Sequence, residues 1–340
     1  MTRIVVCEDS HTYAFALRRA LEHGGKCSVV GVFPSAEQTL AALPKLKPDL
    51  VTMDLELPGM SGLRAVEQIM SAQPVPILVL SAHLGDTSNE PAAALAAGAL
   101  DALPKSQLDL RDPAGSDAAT LRRRAALLGS ARVIRHPRAR LNRPSSVLTR
   151  RGPTQMIGIV ASTGGPQALT VLLRSLPSSF PIPIVVVQHI ASGFGPGLAR
   201  LLDETIDLPV RLAANGVAPT SGVYLAAEGS HLRLGPGRRF VLDHKTAPGS
   251  HRPSGDILLT SMAERLGTDA IGIVLTGMGR DGARGIEAVS AAGGLTIAQD
   301  ERSSIIFGMP KAAIESGAEL VLGLDDIAPR LLRLAKEAAQ

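Results

Sequence analysis

Short apolar runs alternate with helical stretches along most of this 340-residue chain. Five such runs lie before residue 105, and the alternation resumes at residue 156. Apolar runs of this length, separated by helices, are typical of parallel strands that are buried on both faces of a sheet. The sequence therefore predicts an α/β fold with two doubly wound parallel-sheet domains joined by a linker.

A basic segment separates the two regions of alternation. Ten of the 35 Lys and Arg residues lie in residues 122–151, whereas all 31 Asp and Glu residues lie elsewhere. We predict a first domain over 1–120, a basic Arg/Pro-rich linker over 121–152 and a second domain over 153–340. The linker pattern is typical of a docking or regulatory segment, or a patch for an anionic surface, and equally of a solvated hinge.

Composition excludes several classes of protein. No apolar run reaches 18 residues and the N-terminus has no signal-peptide layout, so we expect a cytoplasmic protein that is not membrane-inserted. Tryptophan is absent and aromatic residues make up 2% of the chain, which argues against nucleic acid as a partner. Cys7 and Cys27 lie in apolar runs, where buried free thiols are expected.

Polar residues follow each of four strands in the first domain. Glu8 and Asp9 end the first strand, Asp54 the third, Ser81 the fourth and Lys105 the fifth. The carboxyl ends of parallel strands share one crevice, where three carboxylates would repel one another without a cation. Oxygen ligands of this kind suit Mg²⁺, and a carboxylate such as Asp54 can accept a phosphoryl group.

These residues carry a resemblance to response-regulator receiver domains. The chain has the pair Glu8–Asp9, a D-x-E-x-P motif at residues 54–58 and a Pro-Lys pair at 104–105. The resemblance implies a flavodoxin-like receiver in which a histidine kinase phosphorylates Asp54. It also implies Mg²⁺ held by Asp9, Asp54 and the backbone carbonyl of Glu56 with Glu8 nearby, and phosphoryl contacts from Ser81 and Lys105. Ala102 stands where the family usually has an aromatic switch residue, which implies an altered or weaker coupling.

Three apolar strands of the second domain also end in reactive residues. Ser162 ends the first and precedes Gly164–Gly165, His189 ends the second, and Asp281 closes the loop after a third. A serine, a histidine and an aspartate in one crevice can serve as nucleophile, base and orienting acid for acyl transfer. Taken singly, the serine also fits a helix cap, the histidine a core residue and the aspartate an N-cap.

Other parts of the second domain receive simpler interpretations. Short runs at 210–212, 223–226, 231–234 and 240–242 resemble antiparallel strands. His231, His244 and His251 lie in polar or looped stretches, and we interpret them as surface or substrate-groove residues.

The second domain closely resembles the catalytic domain of the protein-glutamate methylesterase (CheB) family of bacterial chemotaxis. The motifs are ASTGGP at 161–166, VVVQH at 185–189, HRPS at 251–254, LTGMGRDG at 275–282 and FGMPKAA at 307–313. The resemblance implies a Rossmann-like domain with a Ser162–His189–Asp281 triad, an oxyanion hole from the N–H groups of Thr163 and Met278, and no cofactor.

The resemblance further implies a phosphorylation-regulated serine esterase. Its substrates would be glutamate γ-methyl esters on methyl-accepting chemoreceptors, with release of methanol, and specific receptor glutamines, which it would deamidate. We expect the unphosphorylated receiver to cover the crevice. Two alternatives stay open: a response regulator whose second domain only binds a partner, and an esterase for small molecules.

Overall fold

The computed structural model describes residues 1–82, 90–131, 156–244 and 251–338, and its chain divides into two compact units, Met1–His136 and Pro137–Gln340. Both units are built on parallel sheets with helices, which confirms the predicted fold class. Much of the predicted linker lies outside the described residues. Among the described helices, none is long and apolar enough to cross a membrane.

The first unit is a five-stranded parallel sheet in the order β2-β1-β3-β4-β5. Its elements are β1 (Thr2–Cys7), α1 (His11–Glu22), β2 (Cys27–Phe33), α2 (Ala36–Leu46), β3 (Leu50–Asp54), α3 (Gly62–Ala72), β4 (Ile77–Ser81), α4 (Glu90–Ala97), β5 (Asp101–Pro104) and α5 (Ser116–Leu128). Serine side chains cap three of the helices, because Ser10, Ser35 and Ser61 each accept a hydrogen bond from an N–H group of the first turn. Cys7 and Cys27 are buried and free, as predicted.

Helix α5 belongs to this first unit. Leu121, Ala125 and Leu128 are fully buried, and the Arg122 guanidinium donates to the carbonyl of Ala20 on α1 at 2.7 Å. The predicted domain boundary at residue 120 falls inside this helix. We therefore propose that the first domain extends to the end of α5.

The second unit is a seven-stranded parallel sheet in the order β14-β13-β12-β6-β7-β9-β8, with a separate two-stranded sheet. Its elements are β6 (Met156–Ala161), α6 (Gly165–Arg174), β7 (Ile184–Gln188), α7 (Gly195–Thr205), β8 (Val210–Leu212), β9 (Val223–Leu225), β10 (His231–Leu234), β11 (Phe240–Asp243), α8 (Gly255–Leu266), β12 (Ala270–Val274), α9 (Ala283–Ala291), β13 (Leu295–Gln299), α10 (Met309–Glu315), β14 (Leu320–Leu322) and α11 (Leu324–Ala338).

The antiparallel prediction is wrong for two of the four short strands. β8 and β9 pair in parallel, with Val210 opposite Val223, and β9 continues the main sheet beside β7. Among the strands of the described residues, only β10 and β11 form an antiparallel pair, in which His231 lies opposite Asp243. A three-residue strand is too short for side-chain alternation to indicate its direction, so this difference arises from tertiary packing.

Helices cover both faces of the large sheet. Apolar residues of α6, α7 and α11 pack on one face, around Leu169, Leu202 and Leu331. The other face is covered by α8, α9 and α10 together with the β10–β11 hairpin, as at Met262 and Phe240. Every residue of β6 is buried, which explains why this strand reads as an uninterrupted apolar run.

Candidate functional site

The candidate site lies where the strand order of the large sheet reverses. β6 pairs with β7 on one side and with β12 on the other. The chain passes from β6 to β7 and on to the β8 edge, and then returns to the opposite side of β6 to form β12. The carboxyl ends of strands at such a switch point form the binding crevice of an open α/β sheet. Ser162 follows β6, His189 follows β7 and the loop containing Asp281 follows β12.

Ser162 is held between the two neighbouring strand ends. Its backbone N–H donates to the carbonyl of Thr276 at 3.1 Å, and its carbonyl accepts from the side-chain amide of Gln188 at 2.8 Å. Gly164, with a φ of 74°, then turns the chain into α6. A Cβ atom on Gly277 would lie 2.7 Å from the Cβ of Ser162, so only glycine lets the loop approach this closely.

The structure brings His189 and Asp281 into direct contact. His189 Nε2 lies 2.7 Å from Asp281 Oδ2, and the two side chains are only 7% and 10% exposed. The backbone N–H of His189 also donates to the carbonyl of Ala161 at 2.9 Å, which places the ring beside the end of β6. The two residues are 92 positions apart in sequence and meet only through the sheet.

Asp281 is bound at the N-terminus of α8. Its carboxylate accepts hydrogen bonds from the Ser254 hydroxyl at 2.8 Å, from Gly255 N at 2.6 Å and from Asp256 N at 3.0 Å. Burial alone would raise the pKa of Asp281, but the hydrogen bonds from His189 and these N–H groups outweigh it and hold the pKa well below its ordinary value. Asp281 therefore stays ionised. It caps the N-terminus of α8, although in sequence it lies just before α9.

An ionised Asp281 fixes the tautomer of His189. Nε2 must carry the hydrogen that Asp281 accepts, which leaves Nδ1 as the acceptor nitrogen. Nδ1 is buried and has no hydrogen-bond partner within the described part of the chain. The ring also stacks on His251, with centroids 4.1 Å apart and planes at 13°. His189 is thus oriented from its edge and its face, with one basic nitrogen available for a substrate or nucleophile.

Two backbone N–H donors lie on the loops next to Ser162. The N–H groups of Thr163 and Met278 donate to no protein acceptor among the residues that the structure describes. The loops carrying them are joined, because the Thr276 hydroxyl donates to the carbonyl of Thr163 at 3.0 Å. Free N–H groups beside a strand-end serine can stabilise negative charge on a substrate oxygen.

Two site features were missed by reasoning from the sequence. Ser254 had no assigned role, although the serine preceding a helix is a recognisable capping signal. His231, predicted to be a surface or substrate-groove residue, is fully buried at the start of β10, which contradicts a surface position. His251, which had the same prediction, is half-buried and stacks on His189. No spacing rule could predict these positions, because they depend on how α8 and the hairpin pack.

A second polar cluster lies at the strand ends of the first unit. Lys105 Nζ lies 2.6 Å from Asp54 Oδ2 and 3.0 Å from Glu8 Oε1. Burial lowers the pKa of Lys105, but its hydrogen bonds to Asp54 and Glu8 outweigh burial and raise it. Burial is also the main cause that raises the pKa of Glu8. Ser81 is buried at the end of β4, and Glu56 N donates to Asp54 Oδ1 at 3.1 Å.

The donor set of this cluster fits a divalent cation. Carboxylate oxygens of Glu8, Asp9 and Asp54 all lie within 4.8 Å of one another. Glu8 and Asp54 are buried whereas Asp9 is exposed, so the cluster opens to solvent on one side. Three hard oxygen donors with open positions are the ligands that Mg²⁺ prefers. These residues could therefore hold Mg²⁺ beside Asp54.

Comparisons with known proteins agree with both clusters. Residues 157–331 match the family model described as CheB methylesterase, and residues 4–111 match that of the response regulator receiver domain. A protein-glutamate methylesterase/protein-glutamine glutaminase of Anaeromyxobacter dehalogenans is 41% identical over 97% of this chain and 96% of its own length. One of Burkholderia orbicola is 40% identical over 93% of each. The crystal structure of the Thermotoga maritima CheB methylesterase catalytic domain matches with a TM-score of 0.52 and 39% identity, covering 54% of this chain and all of that one.

Proposed function

Since this chain belongs to the CheB methylesterase family and carries a response regulator receiver domain before its catalytic domain, we propose that it is a phosphorylation-regulated serine esterase. It hydrolyses glutamate γ-methyl esters on methyl-accepting chemoreceptors and deamidates specific receptor glutamines. It acts in the cytoplasm, where a histidine kinase supplies the phosphoryl group. The matches to the two family models confirm the two family resemblances that the motifs predicted.

The observation that carries this proposal is the oriented His189 beside the strand-end serine. Asp281 holds Nε2 at 2.7 Å and leaves Nδ1 free to accept a proton. Ser162 Oγ attacks the ester carbonyl carbon while Nδ1 takes the hydroxyl proton, and the N–H groups of Thr163 and Met278 stabilise the oxyanion. The protonated His189 then donates to the methoxy oxygen, methanol leaves, and an acyl-serine is formed.

Hydrolysis of the acyl-serine repeats the same steps with water as the nucleophile. His189 removes a proton from the water, the new oxyanion collapses, and the proton returns to Ser162 Oγ as glutamate is released. A glutamine side chain gives the same acyl-serine, because only the leaving group differs and ammonia departs in place of methanol. One site therefore supports both reactions.

The receiver site supplies the regulatory reaction. Asp54 is the phosphoacceptor, and Lys105 and Ser81 contact the phosphoryl oxygens. Asp9 and Asp54, with Glu8 and the carbonyl of Glu56, would hold Mg²⁺, which when bound would neutralise the negative charge of the incoming phosphoryl group. Lys105 already lies 2.6 Å from Asp54, so a positive group is in place before phosphorylation.

The esterase proposal is tested by incubating the full chain with methyl-labelled receptor and measuring released methanol. We expect Ser162→Ala to lower the rate by several orders of magnitude, because the nucleophile is lost. Ser290→Ala, at an exposed serine on α9, is the matched control and should leave the rate unchanged. If Ser162→Ala retained more than about a tenth of the activity, Ser162 would not be the nucleophile. A chain active on p-nitrophenyl esters but inactive on methylated receptor would instead be a small-molecule esterase.

The phosphoacceptor proposal has its own test. A labelled small phosphodonor with Mg²⁺ should label the wild-type chain, whereas Asp54→Asn should stay unlabelled because the amide cannot form the acyl phosphate. Asp101→Asn is a control at another carboxylate of the same sheet, one that is paired with Arg124. Equal labelling of Asp54→Asn and wild type would overturn the assignment.

A further inference from the structure

The aromatic residue that contacts the phosphoacceptor site lies on α1. The ring of Tyr13 stands over Lys105, with Nζ 4.9 Å from the ring centroid. Lys105 is the residue that pairs with both Asp54 and Glu8. A cation above an aromatic face is attracted by the ring quadrupole, so Tyr13 is part of the environment that holds Lys105.

Hydrogen bonds of the backbone fix the position of Tyr13 relative to the acidic cluster. Tyr13 N donates to the hydroxyl of Ser10, the N-cap of α1, and Ser10 N donates to Glu8 Oε1, each at 3.3 Å. The contacts therefore form a closed circuit from Glu8 through Ser10 and Tyr13 to Lys105 and back to Glu8. A change at Asp54 that moves Lys105 therefore alters the contact between Lys105 and the Tyr13 ring.

The hydroxyl of Tyr13 is buried and has no hydrogen-bond partner among the described residues. Burial, with the nearby charges of Glu8 and Asp54, raises the pKa of Tyr13 well above its ordinary value, so the hydroxyl keeps its proton and is a donor. A buried hydroxyl without a partner is unfavourable, which indicates that an acceptor is supplied in another state of the site. Phosphorylation of Asp54 adds oxygen acceptors beside Lys105, the residue over which the Tyr13 ring stands.

We propose that Tyr13 is a phosphoryl-contacting residue of this receiver: its ring positions Lys105, and its hydroxyl donates to the phosphoryl group on Asp54. This inference rests on the proposed role of Asp54 as the phosphoacceptor. The aromatic residue that responds to phosphorylation would therefore be on α1, whereas position 102, on β5, is a buried alanine. Tyr13 acts on the phosphorylated state and is absent from the esterase site.

Beryllium fluoride with Mg²⁺, an analogue of the phosphoryl group, provides a test on the full chain. Bound fluoride is measured by ¹⁹F NMR as a function of beryllium fluoride concentration. We expect Tyr13→Phe, which keeps the ring, to weaken binding about tenfold or more, because a hydrogen bond to a charged acceptor is lost. Tyr224→Phe is the matched control: it removes the only other tyrosine hydroxyl of the chain, which bonds to Thr220 in the second unit, and should leave binding unchanged.

Tyrosine emission gives an independent readout, because the chain has two tyrosines and no tryptophan. In a Tyr224→Phe background all emission arises from Tyr13, and beryllium fluoride should change it, but not when Asp54→Asn is added. The role of Tyr13 would be overturned if Tyr13→Phe bound beryllium fluoride within twofold of the wild-type affinity, or if Tyr13 emission did not respond to beryllium fluoride. Neither result would affect the assignment of Asp54 as the phosphoacceptor. A wild-type chain that binds no beryllium fluoride would overturn the phosphoacceptor assignment as well.

Discussion

At the scale of single residues, the electrostatics of the esterase site depend on one carboxylate. Asp281 accepts from His189, the Ser254 hydroxyl and two backbone N–H groups, so its four contacts satisfy its acceptor capacity. An ionised, fully bonded carboxylate can stabilise the imidazolium that forms on His189 during acyl transfer. The donors from α8 matter because they set both the position and the charge of Asp281.

Ser254 is accordingly predicted to be a positioning residue. Ser254→Ala removes one of the hydrogen bonds to Asp281, and we expect kcat on methylated receptor to fall about tenfold. This loss corresponds to the lower end of the free energy of a hydrogen bond to a charged group, because two N–H donors to Asp281 remain. Ser254→Thr keeps the hydroxyl and should restore most of the rate. A loss confined to KM, or no rescue by threonine, would contradict a role through Asp281.

The positions of the candidate residues in both clusters could be predicted from the sequence, but the contacts that orient them could not. Ser162, His189, Asp54 and Lys105 could be predicted because each directly follows an apolar run, and strand ends converge in a parallel sheet. Ser254 lies 27 residues before its partner and His251 stacks on a ring 62 positions away in the chain, and neither spacing follows a periodic rule. Such contacts are decided by tertiary packing.

At the scale of elements, α8 connects the site to the hydrophobic core. Its N-terminus binds Asp281, while Leu258, Leu259 and Met262 are buried against the large sheet. The N-terminal end of a helix carries partial positive charge, which favours the ionised carboxylate there. The long periodic helices and strands were predictable, whereas three-residue strands such as β8 carried no directional signal.

The α8–Asp281 link predicts a pH dependence of stability. The folded-state pKa of Asp281 lies below its ordinary value of about 3.9, so its contribution is fully present above that value and is lost as pH falls below it. We expect Asp281→Asn to lose less of its free energy of unfolding than wild type between about pH 4 and pH 2.5. Urea unfolding can be followed through Tyr224 emission in a Tyr13→Phe background.

The control for this measurement is Glu264→Gln, the same chemical change at an exposed position of α8. It should unfold with the pH dependence of wild type, because Glu264 takes no part in the hydrogen bonds to Asp281. Parallel curves for Asp281→Asn and wild type would contradict the depressed pKa.

At the scale of the whole molecule, the two units carry separate chemistry. The phosphoacceptor cluster lies within Met1–His136 and the esterase cluster within Pro137–Gln340. Regulation must therefore be a coupling free energy between two sites, typically about 1–3 kcal/mol, or 5–150-fold. The basic segment that joins the units lies largely outside the described residues, so its role as docking segment or hinge stays a prediction.

We predict that the unphosphorylated receiver inhibits the esterase. If the unphosphorylated receiver inhibits by blocking access to an otherwise formed site, residues 151–340 alone should be faster on methylated receptor than the unphosphorylated full chain, within about 5–150-fold. The described hydrogen bonds to Asp281 and Ser162 come from residues of the second unit, so this fragment contains the residues that orient its site. The homologous Thermotoga maritima catalytic domain was crystallised separately.

Phosphorylation should relieve less inhibition than removal of the receiver does. Ala102 lacks the aromatic ring that usually couples the phosphoryl site to the surface of a receiver, so the phosphodonor-treated chain is expected to reach a rate between those of the other two forms. The measurement is the initial rate of methanol release for all three forms, with folding of the fragment checked by circular dichroism. A folded fragment no faster than the unphosphorylated chain would contradict inhibition by the receiver. It would indicate instead that the receiver recruits the esterase to its substrate. Removing a recruiting domain lowers the local concentration of substrate without altering the site.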